Sequence, residues 1–513
     1  MKKVLLSKVY FIFIFLCTIC SCDSNNLLKE KNIQVVNIPH IETDNQSINT
    51  AFRIAIGDLF SNIQNFEIPI QKKNKSVILA GLDYDRPWTR DASINSWNGA
   101  SYIIPKIAEN TLLSVLIKDE HGIRIGGQYW DAIIWVTGAW NHYLCTGNIE
   151  FLKIAYQACN NSLKYFEETE LNEQYNLFMG PGWSDGVAAY FGIYGDSGGE
   201  SAIDSWPKYH PDKISHKGFG IPMMALSTNC LYYNAYILAN KMAKELNLNQ
   251  ENTLLFKAEQ LKKSINKHFW NEEKGIYRFF IGPFGNCDNQ ETLGNSYAIL
   301  FGIADDKQKE SIIENMYVAP HGIPCGWPDL ERYNANDLSD FGRHSATIWP
   351  QIQGFWAQIC ADNKLPDKFW HEFYNLAEHA NRDLQFAEIY HPFNGEIYGG
   401  LQENGDEGIL VWWTAKKQTW AATAFIRMFV NGLAGIHLST TGVEITPCIP
   451  KNINEIKLYN LQIRDLIIDL NIKGNGTIIQ SILINDKKAE KAFISFEKHK
   501  KIKLDIMMKK NNT

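Results

Sequence analysis

Beyond its N-terminal 22 residues the sequence contains no CxxC pair and no Cys/His cluster at metal-ligand spacing, which removes the zinc-ribbon and thioredoxin-like classes. It carries no Gly-x-Gly-x-x-Gly fingerprint and no Ser-His-Asp signature. Its Gly-rich run Gly195-Asp196-Ser197-Gly198-Gly199-Glu200 lacks the lysine of a phosphate-binding loop and reads instead as the lip of a cleft. An excess of basic charge is missing too. With 50 Lys+Arg against 56 Asp+Glu the formal net charge is −6, which argues against a nucleic-acid partner. There is no low-complexity tract and no repeat at fixed period, so disordered and solenoid architectures are excluded. No cofactor and no metal is implied.

What is present is a chain of 513 residues, enough for two to four domains, or for one large domain and a small one. Aromatic residues are plentiful, with 15 Trp, 22 Tyr and 27 Phe. They suit a large core and equally suit sugar-binding clefts, where rings stack on pyranose faces. Of the 10 cysteines, Cys17, Cys20 and Cys22 fall in the N-terminal segment. The others are odd in number and widely spaced, and are expected to be mostly buried free thiols.

At the N-terminus, Lys2, Lys3 and Lys8 precede an apolar run from Val9 to Ile19, which is too short for a spanning helix. Ile19-Cys20-Ser21-Cys22 follows and resembles the bacterial lipobox. That resemblance implies a signal peptide over 1–21, lipid on the Cys22 thiol, and a tether over 22–45. The protein is then expected to be exported and lipid-anchored to a bacterial membrane, periplasmic or at the cell surface. Loss of three lysines with residues 1–21 takes the formal charge from −6 to −9.

From Ser47 to about Leu433 the apolar period is helical. Phe52, Ile56, Leu59, Phe60 and Ile63 share one face, with Ser47 as the expected N-cap. Asp131 to Cys145 and Asn148 to Glu168 form a hairpin of helices broken at Thr146-Gly147. The connections between helices are long and rich in Gly, Trp, Asp and His. Ordered loops of that length are usually functional. A helical toroid with its loops gathered at one end, over 46–435, accounts for the pattern. From about Ile436 the period becomes two, with turn signals at Gly474-Asn475-Gly476 and Asn485-Asp486. Residues 436–513 are expected to form a small β-sandwich without catalytic residues. The fold class is therefore mainly α, an (α/α)₆ toroid with a C-terminal sandwich.

Cleaving a glycosidic bond requires two carboxyl groups, one to protonate the leaving oxygen and one to activate water or attack. Three aromatic, Gly-containing loops hold candidates. In Arg86-Pro87-Trp88-Thr89-Arg90-Asp91, the Arg and Asp beside Trp88 can grip a sugar, or form an ordinary surface ion pair. In Gly180-Pro181-Gly182-Trp183-Ser184-Asp185-Gly186, Asp185 suits a partly desolvated acid, or a turn cap. In Phe386 to Glu396, Glu388 is either functional or a buried partner of Arg382 or Arg343.

The order of these motifs resembles the six-hairpin glycosidase superfamily, which includes trehalases, processing α-glucosidases and glucoamylases. Trp88-Thr89-Arg90-Asp91 resembles the loop that grips the non-reducing sugar in glucoamylase-like enzymes. Gly182-Trp183-Ser184-Asp185 is similar to the Gly-Trp-Asp loop of the trehalase general acid, with a Ser inserted. Glu388 to Glu396 resembles the stretch whose first Glu is the general base. His344 to Pro350 and Trp412-Trp413-Thr414 are similar to cleft-lining segments. The resemblance spans about 75–450 and implies an inverting, exo-acting hydrolase of α-linked sugars in oligosaccharides or glycans. In that reading Asp185 is the acid and Glu388 the base, while Trp88, Arg90, Asp91, Trp183, His344, Trp349 and Trp413 bind substrate. A related phosphorylase, a polysaccharide lyase and a glycan-binding surface lipoprotein without catalysis are the alternatives.

Overall fold

The computed structural model describes residues 38–509 apart from 128, 216, 249–251, 334–338 and 498–500. The expected signal peptide and the lipidation candidate Cys22 lie outside the described residues.

Among the described residues, twelve principal helices alternate between an outer and an inner ring. They are α1 (Gln46–Ser61), α2 (Thr89–Asn95, prolonged by a π-turn Ser96–Ala100 and Ser101–Ile103), α3 (Pro105–Ser114) and α4 (Tyr129–Thr146). Next come α5 (Ile149–Thr169), α6 (Leu226–Glu245), α7 (Thr253–Phe269) and α8 (Thr292–Leu300). The last are α9 (Asp306–Asn315), α10 (Pro350–Asp362), α11 (Pro366–Asp383) and α12 (Thr419–Arg427, prolonged by a π-turn Met428–Leu433). The even-numbered helices pack in succession and α12 returns to α2, which closes the inner ring. Burial follows position. Inner α4 and α10 bury residues all round, whereas outer α7 and α9 bury a stripe and leave a polar face to water.

Local chemistry sets the helix ends. Asn45, not Ser47, caps α1 by accepting from the Ile48 N–H. Gly147, at φ +67°, stops α4, and Asn148 then caps α5 by accepting from Glu150 and Phe151. Proline opens α3, α10 and α11, where its missing N–H costs nothing.

Connections from inner to outer helices are short, such as 147–148 and 363–365. Those from outer to inner helices are long: 62–88, 115–128, 170–225, 270–291, 316–349 and 384–418. The long loops therefore all emerge at the N-terminal ends of the inner helices, where the helix dipoles are positive. The opposite end carries the β-domain. Its six-stranded sheet runs His40–Thr43, Glu455–Ile463, Leu466–Lys473, Lys501–Met508, Ile479–Ile484, Lys487–Ala489. A three-stranded sheet of Ile436–Leu438, Gly442–Ile445 and Phe493–Ser495 completes it. Alternating Leu466, Ile468, Leu470 and Ile472 are buried, as a period of two requires. The Arg464 guanidinium donates to the Leu144 carbonyl (3.2 Å) at the C-terminus of α4, joining the sheet to the short-loop end.

One expectation changes here and one is met. The end of the expected tether is a strand, His40–Thr43, that pairs antiparallel with Ile456–Tyr459. The seven described cysteines are all buried free thiols.

Candidate active site

The long loops enclose a cavity of about 210 Å³ lined by residues from four of them. Asp185 and Glu388 both line it. So do Trp88, Arg90, Asp91, Trp183, His344 and Trp349. Trp413 does not. It turns outward, 52% exposed, and its neighbour Trp412 faces the cavity. Tyr84, Arg343, Gln402 and Trp420, which the sequence did not single out as lining residues, also form part of the wall.

The loop carrying Glu388 is fixed from below. Leu384 ends α11 in the left-handed conformation at φ +54°. The Phe386 N–H then donates to Asp58 on α1 (2.7 Å), and Tyr390 exchanges backbone hydrogen bonds with Ile348 (2.9 and 3.0 Å). Burial pushes the Asp58 carboxyl up to about 7, against the Phe386 hydrogen bond and Lys417. Glu388 is 2% exposed, and each of its oxygens has a donor. Oε2 accepts from Arg343 (2.9 Å) and from the Ala415 N–H (3.1 Å); Oε1 accepts from the Tyr84 hydroxyl (3.1 Å). Arg343, one of its two candidate partners, thus holds Glu388 while Glu388 still faces the cavity. The same guanidinium donates to the Gly399 and Trp413 carbonyls at 2.8 Å, tying three loop segments to one charge.

The loop carrying Asp185 is clamped by Tyr190. Its hydroxyl accepts from the Gly182 N–H (3.0 Å) and donates to the Ser184 carbonyl (2.9 Å). Asp185 keeps its side chain 57% exposed at the mouth of the cleft and accepts from Arg90 Nη2 at 2.6 Å. Confinement in the cleft works to raise its carboxyl, but Arg90, His344 and Arg343 outweigh that and hold it at about 2. Asp185 is therefore ionised while Arg90 holds it. Arg90 also meets Asp131 at the start of α4, Nε to Oδ1 3.0 Å.

Asp91 behaves oppositely. It is buried in the first turn of α2 with Oδ1 unpartnered. Burial pushes it up to about 8; Arg90 opposes this, while Asp131, Glu388 and Asp185 add to it. A neutral carboxyl facing the cavity can donate to a hydroxyl as well as accept from one. His344 is held down to about 3 by burial and by Arg343, so its ring is neutral. It stacks on Trp349 (5.0 Å) and meets the edge of Trp183 (5.4 Å). Gly186 is required beside it, because a Cβ there would lie 2.7 Å from the imidazole. Among the described residues, no group of three or more His, Cys, Asp and Glu side chains could hold a metal ion.

A closed ring of paired helices with carboxylate-bearing loops at one end defines a six-hairpin glycosidase. The family described as "Mannosylglycerate hydrolase MGH1-like glycoside hydrolase domain" matches residues 133–421, and the chain belongs to it. No curated protein matches the chain at a significant level. Solved structures share the fold at low identity. One titled "Sialidase" aligns with TM-score 0.64 and 12% identity, over 92% of this chain and 44% of its own. A GH78 rhamnosidase from Bacillus sp. GL1 aligns with TM-score 0.53 and 13% identity, over 86% of this chain and 42% of its own. A GH63 mannosylglycerate hydrolase from Thermus thermophilus, in complex with Tris and D-glycerate, aligns with TM-score 0.55 and 11% identity. That alignment covers 74% of this chain and 100% of the Thermus protein. This chain thus spans under half the length of the first two.

Proposed function

We propose that the protein is an exo-acting hydrolase of α-linked sugars in oligosaccharides or glycans, working with inversion. Asp185 protonates the leaving oxygen and Glu388 takes a proton from the attacking water. The observation that carries this reading is the meeting of these two carboxylates, from loops far apart in the chain, around one cavity.

A second cavity of about 640 Å³ adds support. It adjoins the first and shares Trp88, Arg90, Trp183, Asp185 and Ala202 with it, but not Glu388. In an inverting cleavage the base touches only the sugar side, whereas the acid stands between the sugar and the leaving group. The cavity with both carboxylates is then the sugar site, and the cavity with Asp185 alone receives the leaving group. At about 210 Å³ the first is smaller than most drug-sized ligand sites and suits a single sugar ring at a chain end.

The test is NMR of the first-formed anomer during hydrolysis of α-glycosides. Mannosides and rhamnosides come first, because two fold relatives are a mannosylglycerate hydrolase and a rhamnosidase. A β-configured first product is expected. An α-configured one overturns inversion, and no product from any α-glycoside overturns the assignment. Among the described residues no helix is long and apolar enough to cross a membrane. From the lipobox-like Ile19-Cys20-Ser21-Cys22 we propose attachment through lipid on Cys22, which Cys22→Ser would abolish in a membrane-fractionation assay.

A further inference from the structure

Arg90 bridges two carboxylates unequally. Its contact with Asp131 is the sheltered one, the two side chains being 12% and 13% exposed, whereas Asp185 on the other side is 57% exposed. Ion pairs open to water are worth little and exchange readily, while sheltered ones persist. Asp131 also has capacity to spare. Its Oδ1 lies 3.0 Å from Arg90 Nε yet receives no directed hydrogen bond, so a small rotation of the guanidinium would improve that contact at the expense of Asp185. The Trp88 ring, 5.5 Å from the guanidinium, gives the cation a face to turn against. Asp185 and Arg90, finally, both stand where the two cavities meet, so a substrate spanning both comes up against this exposed pair.

We propose that Asp131 is a positioning residue that takes Arg90 over from Asp185 when substrate enters, leaving Asp185 to collect the proton it donates. The inference rests on the reading of Asp185 as the general acid. In the step itself one O–H bond forms on the Asp185 carboxylate with a proton from solvent, and Arg90 keeps its charge throughout. The other charged or titratable groups facing this trio are Asp91 on α2, Asp204, and Arg343 and His344 across the cavity. Asp91 and His344 are held neutral and do not compete for the guanidinium, and Asp131, which burial pushes up to about 6 against Arg90, carries its charge above that pH.

The experiment is the pH dependence of kcat, which reports ionisations in the substrate complex. In Asp131→Asn the carboxylate that faces Arg90 opposite Asp185 is gone, so Asp185 stays paired and ionises at lower pH. The alkaline limb of the profile is expected to move down by about one pH unit or more, the size of shift that a neighbouring charge produces. A merely structural role would lower kcat at every pH with the limb in place. The charge-retaining Asp131→Glu should leave the limb where wild type has it, and if circular dichroism shows that Asp131→Asn does not fold, Asp131→Ser, which also removes the charge, is measured in its place. An unmoved limb in folded Asp131→Asn, or a displaced limb in Asp131→Glu, overturns the inference. Asp185→Asn separates this from failure of the underlying reading. It should lose turnover of alkyl glycosides and keep it on a dinitrophenyl glycoside, whose leaving group needs no proton. Equal turnover on both would mean that Asp185 is not the acid.

Discussion

Neighbouring side chains in the cavity wall differ sharply in what they can contribute. Trp412 faces the cavity and Trp413 faces water. Trp412→Ala is therefore expected to raise KM and lower kcat/KM by tenfold or more, about 1.4 kcal/mol of transition-state binding. Trp413→Ala should change kcat/KM on a single-sugar glycoside less than threefold in the same steady-state assay. Gly186→Ala should drive a methyl against His344 and cost on the order of 1–3 kcal/mol in stability by thermal unfolding, as overpacking does. Which of two adjacent tryptophans turns inward is not written in local sequence. The same holds for the partners of the charged residues. Arg90 finds Asp131 and Asp185, and Glu388 finds Tyr84 and Arg343, through tertiary closure of the ring. Composition and order brought Asp185, Glu388, Asp91 and Arg90 to notice; only the folded loops reveal that Asp185 is ionised and Asp91 neutral.

At the scale of elements, helix period and turn chemistry were legible because each depends on residues three or four apart. The hairpin of α4 and α5 broken at Gly147 and the switch to strands at Ile436 are two such cases. The strand His40–Thr43 was not legible, since its partner Glu455–Ile463 lies at the other end of the chain and its four residues carry little pattern. Long-range anchors decide how the cavity-lining loops sit. Asp58, on outer helix α1, accepts the Phe386 N–H two residues before Glu388. Asp58→Ala would leave that buried donor without a partner, at a cost of about 1–3 kcal/mol. It should lower Tm and reduce kcat together, because it loosens the loop that presents Glu388. Wild-type kcat in a destabilised Asp58→Ala protein would show that the loop is held by its other contacts.

Across the whole molecule, burial moves several acids in one direction. Asp58 and Glu170 are pushed up to about 7, and Asp91 and Glu291 to about 8. For each, the folded form keeps a proton that the unfolded chain releases near pH 4. Their contribution to stability is complete below that pH and is lost as the pH rises through the raised values. Asp185 and Glu109, both lowered to about 2, act in the opposite sense and lose their contribution as the pH falls below 4. Tm at constant ionic strength is therefore expected to peak on the acid side of neutrality, near pH 5, and to decline towards pH 8. A Tm that rises from pH 5 to 8 would contradict this balance.

The ring of helices, the loops at its N-terminal end and the buried polar network bring Asp185 and Glu388 to one cavity, and the proposed function has these two carboxylates address the same sugar. Glu388→Gln tests that most directly, with turnover of an α-glycoside and calorimetric binding of the same sugar measured on one folded sample. The account predicts a fall in kcat on the order of 10²–10⁴-fold, the usual worth of a general base, with Kd within a few-fold of wild type. Turnover at the wild-type rate in that variant would contradict it.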